Sequence, residues 1–564
     1  MDDRTIQDGL EAVLKNMGAG RVSVKLDRPK DPKHGDFATN VALTLAAKLG
    51  RNPREIAEDI VSRLSNAELG LETVEVAGPG FLNFRIAAEK LSSSLREIVV
   101  RGKEYGQSSV GNGEPMMVEF VSANPTGPLH LGHGRQAALG DAIASLLEST
   151  GWSVSREYYY NDAGTQIDRL AESVWVRYQQ DIGEQAEIPE GGYSGDYISD
   201  ISRDYKAKYG EQVNKDETDK AIADMKEMAV ATIRNNQDSD LDNFGVNFDN
   251  YFLESSLYTD GRIDSTLESL RETGKVYEHE GAVWLKTTDY GDQKDRVMVK
   301  NNGSPTYFLP DVAYHMDKWK RGFQSVINVQ GSDHHGTIDR VRAGLQALGL
   351  PKGYPEYVLH QMVRLERDGE EVKFSKRSGS YITLRELISA VGVDVTRYFF
   401  QMRKAEGHLV FDLGLALDRS DKNPVFKIQY AHARMCSIFK KGDVTLDEEM
   451  LLNSDLSVLT HPRERELINQ LLEFPEIVGK AAENRSPHLV CDYLEHTSGM
   501  VNSWYHSGNP NRNPELAVLV EKIPVRYARL ILANAVRIVL GNGLKILGIS
   551  APEYMERKPE DELS

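Results

Sequence analysis

Residues 116–141 read MMVEFVSANPTGPLHLGHGRQAALGD, and their order decides the fold of the middle of the chain. The apolar run MMVEFV is strand material, and a helix-forming run follows Gly134. Between them a turn rich in glycine and proline brings His130, Gly132 and His133 together at the helix start. A strand, a turn and a helix N-terminus make a resting place for phosphates, because unpaired backbone N–H groups and the helix dipole both favour anions. The competing reading is that the two histidines only cap or pack the helix.

Outward from this stretch, strands alternate with helices. VSREYYY (154–160) is followed by the helix-like GTQIDRLAESVWVRYQQ (164–180); later AVWLK, RVMVK and SVINVQGSD supply further strands, and DRVRAGLQALGL a helix after the last. That order predicts a parallel sheet of α/β type. A polar, locally acidic insertion of about residues 165–265 interrupts it.

Residues 1–110 form a small α/β module. TIQDGLEAVLKNMG has helical spacing, VSVKLDRP alternates like a strand, NVALTLAAKLG and NPREIAEDIVSRLS are two helices, and VEVAGPGFLNFRI is two strands about a glycine–proline turn. RGKEYGQSSVGNGEP marks the boundary of this self-contained module, and residues 111–424 carry the sheet. From 425 to 564 the pattern is helical almost throughout, which predicts an all-helical bundle. Its stretch YARLILANAVRIVLGNGLKILGI carries Arg529, Asn534, Arg537 and Lys545, so it reads as amphipathic helices and not a membrane span.

The 564 residues carry a net charge of −18, with 40% hydrophobic and 27% charged residues. Such a balance excludes a protein that coats nucleic acid indiscriminately, though not one that docks a structured RNA through local basic patches. The N-terminus MDDRTIQDGL lacks the features of a signal peptide, so a cytoplasmic location is expected. Cys436 and Cys491 lie far apart without a C-x-x-C partner and read as buried small hydrophobes; no structural zinc is expected. Asp333-His334-His335 invites a metal reading, but adjacent residues on a strand would point to opposite faces, so no metal site is expected.

Chemistry at a nucleotide's α-phosphate needs more cation than a helix end provides. EEVKFSKRSGSYITLRE (370–386) offers Lys373, Lys376 and Arg377 among Ser375, Ser378, Gly379 and Ser380, small residues that let a loop approach an anion. Alone, it could equally be a solvated basic loop.

Together the two stretches resemble a known pair. HLGH resembles the HIGH signature of class I aminoacyl-tRNA synthetases, and KFSKR their KMSKS loop, in the same order and about one catalytic domain apart. EFVSANPTGPLHLGHGRQAALGD, REYYYNDAGTQI, TYFLPDVAYH and NPVFKIQYAHARMCSI are similar to segments of bacterial arginyl-tRNA synthetases; HGDFATNVA and GPGFLNFRI resemble that family's N-terminal domain. The resemblance covers nearly the whole chain. It implies a Rossmann-type catalytic domain, an N-terminal domain at the tRNA elbow, a helical anticodon-binding domain, and a monomer.

By the same resemblance, His130 and His133 would stabilise the phosphates of ATP, which enters with Mg²⁺. Gly132 would leave room for adenine, and Lys376 would be the mobile cation on the β and γ phosphates, with Lys373, Ser375 and Arg377 around it. Phe374 stands where the signature has Met and is a similar hydrophobic anchor. Tyr307 and Asp311 match positions that contact the arginine side chain; Asn124 and Asp333 match regions near its α-amino and carboxylate groups. Phe37 and Asn40 would touch the tRNA elbow, and the helix FKIQYAHAR, with Tyr430 and Arg434, would lie in the anticodon-binding domain. The implied reaction ligates L-arginine to its tRNA through arginyl-adenylate, releasing pyrophosphate and AMP, with the first step dependent on bound tRNA. A synthetase for another amino acid would place a neutral residue at Asp311. A non-catalytic relative would lack one of His130, His133 or Lys376, and other HxGH nucleotidyltransferases have no reason to carry the helical domain.

Overall fold

The computed structural model describes residues 3–556 apart from 30, 163, 211–216, 373–381 and 510–511. The first module runs α1 (Asp3–Asn16), β1 (Phe37–Thr39), α2 (Val41–Leu49), α3 (Pro53–Arg63), β2 (Leu71–Ala77), β3 (Phe81–Ile86) and α4 (Ala88–Arg101). Asn52 caps α3 by accepting the Arg54 N–H, and Pro53 fits the first helical turn, where no amide donor is needed. Gly80, at φ +140°, turns β2 into β3 where a Cβ would lie 2.9 Å from the Pro53 backbone. VSVKLDRP forms one bridge, Asp27 to Ala38, and no strand. Its backbone bonds to side chains instead: the Val24 N–H donates to Glu11 (3.1 Å), and the Thr39 hydroxyl donates to the Lys25 carbonyl (2.8 Å).

The middle of the chain continues with β4 (Pro115–Glu119), α5 (Leu131–Ser149), β5 (Ser153–Tyr160), α6 (Thr165–Asp181), α7 (Asp196–Tyr209), α8 (Thr218–Asn243), β6 (Asn250–Leu253), α9 (Ser255–Thr259) and α10 (Arg262–Glu272). After these come β7 (Val276–His279), β8 (Ala282–Leu285), β9 (Arg296–Val299), α11 (Phe308–Lys320), β10 (Ser325–Gly331), α12 (His335–Ala347) and β11 (Glu356–His360). The five-stranded sheet has the order β11-β10-β4-β5-β6, parallel at every junction. This is the doubly wound arrangement, and its strand order reverses between β4 and β10. A crevice therefore opens at the carboxyl ends of those two strands, where HLGH follows β4 and QGSDH spans the end of β10.

AVWLK and RVMVK are strands but not of this sheet: as β8 and β9 they join β7 in a separate antiparallel sheet. A short apolar run identifies a strand without naming its neighbour. The parallel sheet's last strand is instead β6, inside the stretch read as insertion. The helices before it, α6 to α8, pack on a core of their own that includes Leu170, Val174, Tyr178, Ile201 and Met225.

The remaining elements are β12 (Val363–Arg367), β13 (Glu370–Glu371), α13 (Leu384–Val391), α14 (Val393–Gln401), β14 (Leu409–Asp412), α15 (Leu413–Leu417), α16 (Pro424–Gly442), α17 (Glu448–Asn453), α18 (Pro462–Leu472), α19 (Phe474–Glu483), α20 (His488–Ser507) and α21 (Ile523–Ile546). HPRERELINQLLEFPEIVGKAAE divides into α18 and α19 because Pro475 has no N–H to continue the first helix. In α21, Arg529 and Asn534 are buried rather than on a wet face. Arg529 donates to Glu464 (2.7 Å) and to the carbonyls of Glu515 and Ala517, so the charge is paired where it is desolvated. Cys491 is buried as expected of a small hydrophobe, but Cys436 is only half-buried.

The first module is not self-contained, since one hydrophobic core runs from it through the sheet into the C-terminal helices. Asp36 anchors it to α18, accepting from Arg465 (2.6 and 3.0 Å) and Asn469 (2.6 Å). Burial alone would raise the Asp36 carboxyl; Arg465, the Ile86 N–H and Asn469 together hold it below its ordinary value. Arg397, fully buried, joins α14 to α5 through Asp141 (2.5 Å) and to the end of α21 through the Leu547 carbonyl (3.1 Å). Among the described residues no helix is long and apolar enough to cross a membrane.

Candidate active site

A cavity of about 1080 Å³ occupies the crevice between β4 and β10. Asn124, His130, Gly132, His133, Tyr307, Asp311 and Asp333 all line it. Seven residues from three separated stretches of sequence thus meet in one place. Lys373, Ser375, Lys376 and Arg377 lie outside the described residues. The chain returns at Ile382 in the cavity wall, and Thr383 pairs with His130 in an isolated bridge.

His130 is the N-cap of α5. Its Nδ1 accepts from the N–H groups of Gly132 (3.0 Å) and His133 (3.4 Å), while Nδ1 of His133 accepts from the His130 N–H (3.3 Å). The rings stack with centroids 3.7 Å apart. An imidazole that accepts at Nδ1 carries its proton on Nε2 when neutral. Burial lowers both pKa values; Asp333 opposes the shift at His130, whereas His130 and His360 add to it at His133. Both rings are therefore neutral donors near pH 7. This corrects the picture of an anion held by free backbone amides, because Gly132 and His133 donate to the His130 ring and Gly134 to the His130 carbonyl. Capping does not exclude ligand binding, since the caps use Nδ1 of each ring. A Cβ on Gly132 would lie 2.8 Å from Cε1 of His130, so the glycine makes room for that ring.

The opposite wall is acidic. Asp311 sits in the first turn of α11, half-buried, with Tyr307 exposed at the helix start. Burial, with Glu254 and Glu119 adding and Arg340 opposing, pushes the Asp311 carboxyl up to about 7. Glu119, which ends β4, is already engaged: one oxygen accepts from Ser122 (3.0 Å), the other from Lys318, itself fully buried. Glu254, just after β6, is buried and its carboxyl raised by burial, with Asp162 adding and a bond from Tyr159 opposing. Glu119 and Glu254 were not foreseen. Nothing local marks them, because each stands at a strand end whose neighbours come from elsewhere in the chain.

The cavity also gathers unmet hydrogen-bonding groups. Among the described residues, Asn161 Oδ1, Gln330 Oε1, Arg340 Nε and His360 Nε2 are buried without a partner, and all four residues line this wall. Buried polar atoms are normally paired, so such a cluster points to a bound polar ligand. Asp333 and His334 lie on a short 3-10 turn, not on a strand, and Asp333 is largely exposed at the rim. No group of three or more His, Cys, Asp or Glu side chains among the described residues could hold a metal ion.

The candidate RNA-contacting residues divide. Phe37 is 2% exposed and lies under the Arg28 guanidinium (4.6 Å), so it belongs to the core and cannot stack on a base. Asn40 is exposed, and its side chain does not cap α2. Phe81, the first residue of β3, is the exposed aromatic of this module among the described residues, at 40%. On α16, Phe426 and Tyr430 stack (5.8 Å), and Arg434 lies over Tyr430 (4.6 Å) and Tyr505 (4.5 Å), forming a half-exposed strip. Gln429 and His432 face inward, bonded to Asp394 and to the Pro552 carbonyl.

Sequence models of three families match the chain. They are the arginyl tRNA synthetase N terminal domain over residues 4–86, the class I (R) tRNA synthetase catalytic domain over 94–397, and the DALR anticodon binding domain over 428–555. An arginine–tRNA ligase of Thiobacillus denitrificans is 49% identical over 558 residues, covering 97% of this chain and 98% of that one. One of Herminiimonas arsenicoxydans is 49% identical over 94% of this chain and 95% of its own. The solved Thermus thermophilus arginyl-tRNA synthetase superposes with a TM-score of 0.74 at 25% identity, over 98% of this chain and all of that one. A Mycobacterium tuberculosis methionyl-tRNA synthetase, at 13% identity, shares the fold with a TM-score of 0.52 over 77% of this chain and 93% of its own.

Proposed function

Because the chain belongs to the arginyl-tRNA synthetase family, we propose that the cavity between β4 and β10 is where it carries out arginine–tRNA ligation. The activity itself follows from the family: ATP, L-arginine and tRNA are the substrates, and the class I reaction passes through an aminoacyl-adenylate. The arginine carboxylate attacks the α-phosphorus of ATP and pyrophosphate leaves. A terminal ribose hydroxyl of the tRNA then attacks the activated carbonyl and AMP leaves. The attacking carboxylate is already ionised at neutral pH, so positioning and charge stabilisation supply the first step's catalysis.

In this reading the guanidinium enters the acidic wall against Asp311, with Tyr307 closing over it. Glu119 is neutralised in part by Lys318, so Asp311 is the carboxylate that the substrate's charge relieves most. Asn124 and the rim at Asp333 receive the α-amino and carboxylate end, and Gln330 offers an unpaired acceptor beside them. The Nε2–H groups of His130 and His133 donate to the phosphates, with adenine beside Gly132. By the family resemblance, Lys376 is the cation for the β and γ phosphates, with Lys373, Ser375 and Arg377 as further nucleotide-binding residues. Mg²⁺ enters as part of the nucleotide substrate and takes its ligands from phosphate and water.

The reading extends to a first domain of 1–110 meeting the tRNA elbow through Asn40, with Phe81 taking the stacking role Phe37 cannot. A catalytic domain of 111–424 follows, then an anticodon-binding domain of 425–564 whose strip holds Tyr430 and Arg434. The protein acts as a cytoplasmic monomer, and its first step waits on tRNA. The observation that carries the arginine assignment is Asp311, a half-buried carboxylate with its pKa raised in a cavity rich in acid. Calorimetric titration with arginine and with citrulline, equal in shape but uncharged, tests it: arginine should bind and citrulline should not, and comparable binding would refute the assignment.

A further inference from the structure

The link from β4 to α5 runs through backbone that its residues disfavour. Val121 and Ser122 have φ of +67° and +43°, and a β-branched residue there is an outlier that persists only where its surroundings over-determine it. Here the surroundings can be named. Ser122 Oγ donates to Glu119 (3.0 Å) and accepts the Tyr159 N–H (3.2 Å). The Tyr158 hydroxyl, fully buried, accepts the Ala123 N–H (3.1 Å) and lies 3.0 Å from the Ala123 carbonyl. Beyond Ala123 the partners come from the insertion. Gln237 of α8, 1% exposed, donates through Nε2 to the carbonyls of Asn124 (3.1 Å) and Gly127 (2.8 Å). Tyr197 of α7 donates to the Thr126 carbonyl (2.8 Å), and Gln166 of α6 accepts from Asn124 Nδ2 (2.6 Å).

Each of the three inserted helices thus sends one side chain to residues 124–127. We propose that the insertion is the frame that positions residues 124–127, which follow the strained Val121–Ser122 pair, for catalysis, with Gln166, Tyr197 and Gln237 as its positioning residues. The proposal rests on the placement of arginine and ATP given above. Gln166 takes the amide end of Asn124, which leaves Oδ1 as the end that meets the substrate's ammonium group. Gln237 holds the two carbonyls on either side of Pro125 and Thr126, three residues before the His130 cap, and so sets where α5 begins. Side chains from outside the segment, added to its own short backbone bonds (Ser122 N–H to Phe120, Thr126 N–H to Asn124), pre-organise it.

The test uses the full chain with tRNA present. Gln166→Leu removes the acceptor at an exposed position, and arginine KM should rise about tenfold while ATP KM stays within about twofold. Gln166→Glu keeps an acceptor and should restore the wild-type value, which a merely bulky or structural role would not produce. Gln237→Met keeps the length and loses both donors, and should lower kcat as well as raise arginine KM. If Gln237→Met fails to fold, Gln166→Leu and Tyr197→Phe decide the matter alone. Wild-type arginine KM in Gln166→Leu and Tyr197→Phe overturns the proposal, as does a Gln166→Glu variant no better than Leu. Asp311→Asn distinguishes the two levels: if it too leaves arginine KM unchanged, the placement of arginine is wrong, whereas if it alone raises KM, only the frame is refuted.

Discussion

Replacing Asp311 by Asn should stabilise the substrate-free protein while destroying its use. The Asp311 carboxyl rises from 3.8 to about 7 on folding, three units worth about 1.4 kcal/mol each. Above pH 7 the ionised group therefore costs the fold less than about 4 kcal/mol, since solvent still reaches the half-buried carboxylate, and burial is the largest cause. The sign follows from the proton count. Below 3.8 the group is protonated in both folded and unfolded states and costs nothing; the cost grows as the pH rises towards 7 and is complete above it. Asparagine carries no charge to desolvate, so the Asn variant should unfold a few degrees (about 2–5 °C) above wild type at pH 8. The two should converge at pH 4. Thermal or urea unfolding without ligands, at pH 4 to 8, measures the gap, and arginine titration of the same samples measures the lost binding. A variant less stable than wild type at pH 8, or a gap independent of pH, would refute the claim that Asp311 is a half-buried charge awaiting a cation.

Bound guanidinium should pull the Asp311 pKa back down, so arginine KM should rise up to about tenfold per unit as the pH falls below about 7; a flat profile between pH 5.5 and 7.5 would contradict this. His130→Ala should lose about 1 kcal/mol of stability with the cap and about a hundredfold in adenylate formation. His130→Asn should recover the first and not the second, read by unfolding midpoint and by exchange of pyrophosphate into ATP. Phe81→Ala should raise tRNA KM about tenfold, the scale of one lost stack on a base, with arginine KM unchanged, whereas Phe37→Leu should lower stability instead. Arg465→Met leaves Asp36 buried without its cation and should cost about 3 kcal/mol, seen as faster proteolysis between the first module and α18.

The strand, turn and helix of 116–141 were legible because they are contiguous: period, glycine and cap lie within one short window. Fold class followed from the alternation of such windows. Assignment of strands to sheets did not, since β8 is an apolar run as a sheet strand can be but pairs with β7 and β9, while the four residues of β6 hide behind three helices. Within the site, Tyr307 and Asp311 were readable through their resemblance to a known segment. Glu119, Glu254 and Gln237 were not, because their roles arise from what the fold packs against them: Lys318 comes from 199 residues away and the Asn124 carbonyl from 113. Phe37 and Phe81 show the same limit at one residue each. Both are aromatic residues on short strands, and only the packing of the module turns one into its core and the other out.

The most direct measurement is arginine-dependent exchange of pyrophosphate into ATP by the purified protein, with and without tRNA, beside His133→Ala and Asp311→Ala. Exchange that needs arginine and tRNA, and falls at least about a hundredfold in both variants, is the predicted result. Exchange that persists in Asp311→Ala, or that responds equally to another amino acid, would contradict the assignment of this cavity to arginine activation.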